Sequence, residues 1–235
     1  MNTFWLKISA PFAAFRGFQA GVYRSTAPVI PPSAAYGLVL NLAGIEMRDY
    51  SNPKTTEIRK DIQNLRLAIG VVQKPEQSSM YQQLHGYRVG MDSKTKMYKA
   101  LTKGAKYQIV PVRRELLINY IGIVGVQTND KILLNKVEKG LRGELKRNYG
   151  LPFAGDNNFL FDKIEVVDNP PEGVIWYVKH HPDDKQVRGS CRLYIGINRT
   201  DNSKTTTDVF VPKENLSIPL PDNAWVWTPK MPKES

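Results

Sequence analysis

Residues 5–44 read WLKISAPFAAFRGFQAGVYRSTAPVIPPSAAYGLVLNLAG, and the fold turns on them. Phe4, Leu6 and Ile8 alternate with Trp5, Lys7 and Ser9, the period of two that marks a half-buried strand. Past Pro11 a loop interleaves rings with guanidinium groups: Phe15, Arg16, Phe18, Tyr23 and Arg24. Pro31-Pro32-Ser33 then sets up a helix start, because proline cannot continue a strand ladder and the Ser33 hydroxyl can cap free amides. Ala34 to Ala43 is apolar on nearly every side, which puts that helix between layers, and Gly44 is its natural stop.

Beyond this stretch the same order of elements repeats. A polar connection from Glu46 to Asn64 has room for a short helix around Glu57 to Ile62. Leu65, Leu67, Ile69 and Val71 alternate as a second strand, and a third is expected from about Glu115 to Val126. Asn129 or Asp130 can cap a second helix, whose apolar stripe is Leu134, Val137, Leu141 and Leu145. Gly140 and Gly143 each weaken that helix by about 1 kcal/mol relative to alanine. Gly150 is expected to close it, with Lys146 and Arg147 at the negative end of its dipole. Phe159 to Val167 reads as a fourth strand. The order is βαββαβ, so the expected class is α+β, a ferredoxin-like domain over residues 1–167 of the kind that RNA-recognition domains share. After the turn cluster Asn169-Pro170-Pro171-Glu172-Gly173, three β-rich runs follow: Val174–His180, Cys191–Asn198 and Thr206–Val211. They predict a small antiparallel subdomain over 168–235, ending in a proline-rich tail with Trp225 and Trp227.

Charge narrows the partner. The 235 residues carry a net +11, with a pI near 9.6, which favours a polyanion. From Tyr81 to Arg114 there are eight basic residues, Arg88, Lys94, Lys96, Lys99, Lys103, Lys106, Arg113 and Arg114, against Asp92 alone. Tyr81, His85, Tyr87, Tyr98 and Tyr107 run through the same segment. Cations neutralise phosphates and flat rings stack on bases, the combination that binds single-stranded RNA. A solvated lysine-rich loop is the plainer reading. For Arg16 and Arg24 the plain reading is weakest, since a packed loop rarely needs two guanidinium groups among aromatics. Phe12 is better placed to pack on the sheet than to meet RNA.

Residues 146–159, KRNYGLPFAGDNNF, form a further candidate contact. Gly150 and Gly155 allow positive φ and close approach of another chain, and Asn157 offers a polar side chain beside Asp156 and Asn158. An ordinary capped loop is the alternative there. Arg147 is the preferred phosphate contact and Lys146 the second.

The N-terminal pattern resembles that of the Cas-five family, CRISPR-associated RAMP proteins. It consists of the strand, Ala10-Pro11-Phe12 with Phe15-Arg16, a Tyr23-Arg24 arm, Pro31-Pro32-Ser33, and the Gly37-Leu38-Val39-Leu40 helix. The resemblance implies a RAMP domain with a β-hairpin-based thumb between the second and third strands, here about residues 76–114. It implies a glycine-rich loop that touches RNA, and a subunit of a type I CRISPR surveillance complex. That subunit would bind and cap the 5′ handle of the guide RNA beside the backbone and large subunits, meeting target DNA only indirectly or near the PAM end. The role serves antiviral defence or a transposon that recruits the complex. The expected RNA contacts are Phe15, Arg16, Tyr23, Arg24, Tyr81, His85, Tyr87, Arg88, Lys94, Lys96, Tyr98, Lys99, Arg113, Arg114, Lys146, Arg147 and Asn157, with the sheet also holding phosphates.

Catalysis has little to build on. The three histidines are His85, His180 and His181, and no His-Glu-x-x-His helix, aspartate cluster, P-loop or GxSxG elbow occurs. No metal or organic cofactor is expected. The enzymatic alternative is metal-independent cleavage of CRISPR precursor RNA, as one branch of the Cas-five family performs with a tyrosine and a Lys-His pair. Lys179-His180-His181 lies outside the corresponding domain, so that role is not carried over. A basic RNA-associated structural protein is the third reading. Cys191 is the only cysteine, which leaves no disulfide framework. No stretch reaches the roughly 18 apolar residues of a membrane span, and no signal-like start is present. A cytoplasmic protein is expected.

Overall fold

The computed structural model describes residues 1–17, 23–51, 56–88, 107–146, 150–181, 183, 185 and 187–232, with the backbone alone at 84–88 and 107–110. In chain order the elements are β1 (Asn2–Ala13), β2 (Tyr23–Arg24), α1 (Pro32–Leu42), β3 (Arg48–Asp49), β4 (Glu57–Ile58), β5 (Leu65–Val71), β6 (Glu76–Arg88) and β7 (Tyr107–Thr128). They continue with α2 (Leu133–Leu141), β8 (Lys163–Val167), β9 (Ile175–Lys179), β10 (Cys191–Gly196), β11 (Thr206–Lys213) and β12 (Val226–Thr228). Among the described residues, ten strands share one sheet. Its main path runs β10-β11-β9-β5-β7-β1-β8, and every pairing is antiparallel except β2 with β7. The fold is a mostly antiparallel sheet with few helices.

The alternation in β1 sorts its side chains as the sequence predicts. Phe4, Leu6 and Ile8 are buried with Tyr36, Val39 and Leu40 of α1 and Leu133 and Val137 of α2. Fully burying one such aliphatic group contributes about 1.5–3 kcal/mol. The strand is not half-buried, however. Trp5 faces the other way into a second core with Ile123, Val174, Trp176, Leu220 and Trp225. The Trp5 ring lies 5.6 Å from both the Trp176 and Trp225 rings, where Gly125 opposite it leaves the space an indole needs. The C-terminal tail therefore covers the end of the sheet at Trp5, and phosphates cannot bind there. Around Lys7 and Ser9 the face stays partly open, with Lys7 and Lys163 both beside Glu165.

Local starts and stops differ in instructive ways. Ser33 does not cap α1: the helix begins at Pro32, and the Pro31 carbonyl accepts from the Ala34 and Ala35 amides at 2.9 Å. Proline suits that first position because its φ is already helical and its missing N–H would have had no partner. α1 ends as expected at Gly44, which has φ +69° and closes a 6→1, 5→2 pair of bonds, Ile45 to Leu40 and Gly44 to Asn41. The second helix stops early by the same device. Gly143, at φ +76°, and Glu144 bond back to Gly140 and Lys139, so this glycine terminates α2 and Gly150 is not its end. Asp130 lies ahead of its start, accepting from Ile132 N–H at 2.9 Å. Glu57–Ile58 is a strand paired with Arg48–Asp49, where a short helix was expected. Of Phe159–Val167, only Lys163–Val167 is strand.

The three C-terminal runs are antiparallel as expected but do not stand apart. β9 bonds to β5, through Gly70 opposite Trp176, and extends the same sheet. β12 pairs with the other part of β5. Trp225 thus joins the tail to the sheet centre. Trp225→Ala should lower stability by about 3–5 kcal/mol, the range for truncating a buried aromatic. Urea unfolding of the full chain measures this, and a loss below 1 kcal/mol would contradict the tail's part in the core.

Candidate nucleic-acid interface

The arm between β1 and α1 is closed at its base by its own backbone. Ala27 N–H donates to the Phe15 carbonyl oxygen at 2.9 Å, and the Thr26 hydroxyl donates to the same oxygen at 3.1 Å. Arg16 and Thr26 form an antiparallel bridge. From there β2 runs parallel to β7, with Tyr23 beside Arg113 and Arg24 beside Arg114. One carboxylate then straps the arm down. Glu115 Oε1 accepts from the Tyr23 hydroxyl at 2.5 Å, while Oε2 accepts from the Thr26 amide at 3.0 Å. The hydrogen bond to Glu115, then desolvation and the carboxylate's charge, raise the Tyr23 pKa, so the hydroxyl remains a donor across neutral pH.

The thumb stem is a β-hairpin. β6 pairs with β7 from Glu76 opposite Ile118 to Arg88 opposite Tyr107, with a register shift between Leu84 and Tyr87. Tyr81 and Arg113 are exposed on it, and Arg113 Nε donates to Ser79 Oγ at 3.1 Å. His85, Tyr87 and Arg88 lie on β6 by backbone. Lys94, Lys96, Tyr98 and Lys99 lie outside the described residues, as do Phe18 and Arg147.

The glycine loop abuts both arm and thumb. Ala14 N–H donates to the Ala154 carbonyl at 2.9 Å, and Gly155 sits at φ +83° against the Ala14 backbone. Asp156 pairs with Arg114 at 2.5 Å, each side chain 13% exposed, and also accepts from Asn158 N–H at 2.9 Å. Asn41 of α1 donates to the Gly150 carbonyl at 3.1 Å. Lys146 and Asn157 are exposed on the loop.

Of the expected contacts, Arg16, Tyr23, Arg24, Tyr81 and Arg113 are thus gathered around the arm–thumb junction. Two expectations on rings are reversed. Phe15 is 1% exposed, with its ring edge-on to Tyr120 at 5.1 Å, so it is core and cannot stack on a base. Phe12 is the exposed one, at 45%, with its ring 6.0 Å from Phe159. Arg114 is largely committed to Asp156. Sequence reasoning missed Glu115. A signal existed: it is the sole acidic residue between Asp92 and Asp130, directly after Arg113-Arg114.

The residues of the Lys179-His180-His181 run each have a partner of their own. Lys179 pairs with Asp208 at 2.8 Å, and His181 Nδ1 lies 3.4 Å from Asp183 on the protein surface. His180 N–H donates to the Val209 carbonyl at 2.9 Å. Burial pushes the Cys191 thiol up to about 12, which makes it a poor nucleophile. Among the described residues no His, Cys, Asp and Glu cluster could hold a metal ion, and no helix is long and apolar enough to cross a membrane.

A family model described as CRISPR-associated protein (Cas_Cas5) matches residues 3–199, and the chain belongs to that family. A solved chain described as "CRISPR RNA-guided surveillance complex" aligns at TM-score 0.56 and 14% identity, covering 91% of this chain and 90% of that one. Another, described as "Crystal structure of Cas protein", aligns at TM-score 0.45 and 13% identity, over 91% and 94%. The first likeness is one of fold. No curated protein matches the sequence.

The tight joint between loop and arm has a measurable consequence. A Cβ at residue 155 would collide with the Ala14 carbonyl oxygen at a φ that side chains rarely adopt. Gly155→Ala should therefore cost about 1–3 kcal/mol in urea unfolding and speed proteolysis within the arm. Unchanged stability and cleavage would show that the joint is slack.

Proposed function

We propose that this chain is an RNA-binding subunit of a type I CRISPR surveillance complex that binds and caps the 5′ handle of the guide RNA and docks the large subunit. Membership of the CRISPR-associated family supports the setting. The observation that carries the RNA reading is the joining of arm and thumb, which puts Arg16, Tyr23, Arg24, Tyr81 and Arg113 in one region. Strand order also favours it. β8-β1-β7-β5, with helices between β1 and β5 and between β7 and β8, supports a ferredoxin-like RAMP core on which the thumb is an insertion. The protein acts in the cytoplasm with the backbone and large subunits, in defence or in transposon-recruited targeting.

The test is anisotropy binding of the assembled complex at several salt concentrations, with guides that carry or lack the repeat-derived handle. The handle should tighten binding. Each lysine neutralised among Lys94, Lys96 and Lys99 should lower the slope of log K against log salt by about 0.7 if it holds a phosphate. Arg16→Ala or Arg24→Ala should cost more per residue, because guanidinium pairs phosphate bidentately or stacks on a base. Equal affinity for both guides would overturn the handle reading.

The same reading makes the subunit non-catalytic. Purified protein should leave CRISPR precursor RNA intact with or without Mg²⁺. A defined cleavage product that disappears in His85→Ala or His180→Ala protein would replace this reading with the endoribonuclease one.

A further inference from the structure

Three side chains from three neighbouring strands line up across the junction of arm and thumb. Tyr23 of β2 lies beside Arg113 of β7, and Arg113 lies opposite Tyr81 of β6. Directly paired residues share a face of a sheet, so one surface presents the row Tyr–Arg–Tyr. Adjacent strands are about 4.8 Å apart, which sets the two tyrosine positions roughly 10 Å apart with the guanidinium between them. Both rings are open to solvent, Tyr23 at 41% and Tyr81 at 79%, and Arg113 is exposed as well.

The row is held from the next row of the same face, where Glu115 stands opposite Ser79. Glu115 accepts from the Tyr23 hydroxyl at 2.5 Å and Ser79 Oγ accepts from Arg113 Nε at 3.1 Å. Each bond orients a side chain and leaves its working part alone. The Tyr23 ring face and four of the five guanidinium N–H donors are not used by them. The carboxylate also sets a polarity. It repels a phosphate from the Tyr23 end, so a phosphate is directed to Arg113 and only uncharged parts of a nucleotide suit the ring.

We propose that Tyr23, Arg113 and Tyr81 form one composite site for single-stranded RNA, with one phosphate on Arg113 and a base against each ring. This rests on the RNA-binding reading above and deepens it, because it assigns the two rings and the cation to one stretch of strand. Flat rings accept any base, and guanidinium binds phosphate through paired hydrogen bonds, so the site is tolerant of sequence. It exists only while the arm lies on β7, since Tyr23 comes from one segment and Tyr81 from the other.

The full chain tests this with a labelled single-stranded RNA of about ten nucleotides, within the usual span of such sites, and the same strand made abasic. Tyr23→Ala and Tyr81→Ala should each weaken the intact strand roughly tenfold and leave the abasic strand unchanged. Tyr81→Phe, which keeps the ring, should bind as the unaltered chain does. Arg113→Ala should weaken both strands and lower the salt slope by about 0.7. If the unaltered chain binds RNA and the tyrosine variants bind it equally well, the row is overturned while RNA binding stands. If the unaltered chain binds neither strand, both readings fall. If the variants bind RNA normally but lose a protein subunit during co-purification, the row is a protein contact and the proposal is wrong.

Discussion

Over Gly122–Gln127, β7 hydrogen-bonds to β1 on one edge and to β5 on the other, and over Tyr107–Ile118 the same strand passes to β6. A backbone with both edges paired cannot slip by one residue without turning its whole apolar set to the wrong side. Val124 and Val126 of the core and Arg113 and Glu115 beside the arm are consequently placed by one ladder. The rigidity that the core supplies at one end is transmitted to the thumb at the other. This is why the paired β6 and β7 present defined rows of side chains.

The arm takes its position from that strand. Its base is closed by the Phe15–Ala27 bond, and its tip-side strand lies parallel to β7, a pairing of only two residues. Two residues of ladder hold little by themselves. Glu115 completes the attachment by accepting from two points of the arm at once. A carboxylate inside a basic surface looks out of place until its partners are seen. There it is a structural acceptor, and so is Asp156 toward Arg114. Glu115 fixes the arm, and Asp156 fixes the cation beside it.

The tail shows how the same sheet differs from an open RNA-binding platform. Trp5 on β1 would be a natural stacking ring if it faced water. Trp225 and Trp176 bury it, while beside β7 the rings of Tyr23 on the arm and Tyr81 on β6 stay exposed. Burying the indole cluster stabilises the joint between the N-terminal strands and the C-terminal β9 to β12.

Much of this was legible in residue order, because periodicity and turn chemistry are local. The alternation in Phe4–Ile8 and Leu65–Val71, the apolar helix ending at Gly44, the β runs after Gly173 and the basic ring-rich segment all follow from neighbours in sequence. Where local signals competed, the sequence was ambiguous: Gly143 reads as a flaw within a helix, yet its positive φ makes it the terminus. What only tertiary structure decided is which faces are covered and which charges are paired. Phe15 and Phe12 are alike in type and lie three residues apart, but Tyr120, over a hundred residues on, lies against the first. Glu115 becomes the arm's anchor, Arg114 the partner of Asp156, and Tyr23 and Tyr81 one row, only when distant strands fall into register. Hydrogen-bond ladders and burial depend on contacts between segments far apart in the chain, and no local pattern specifies those.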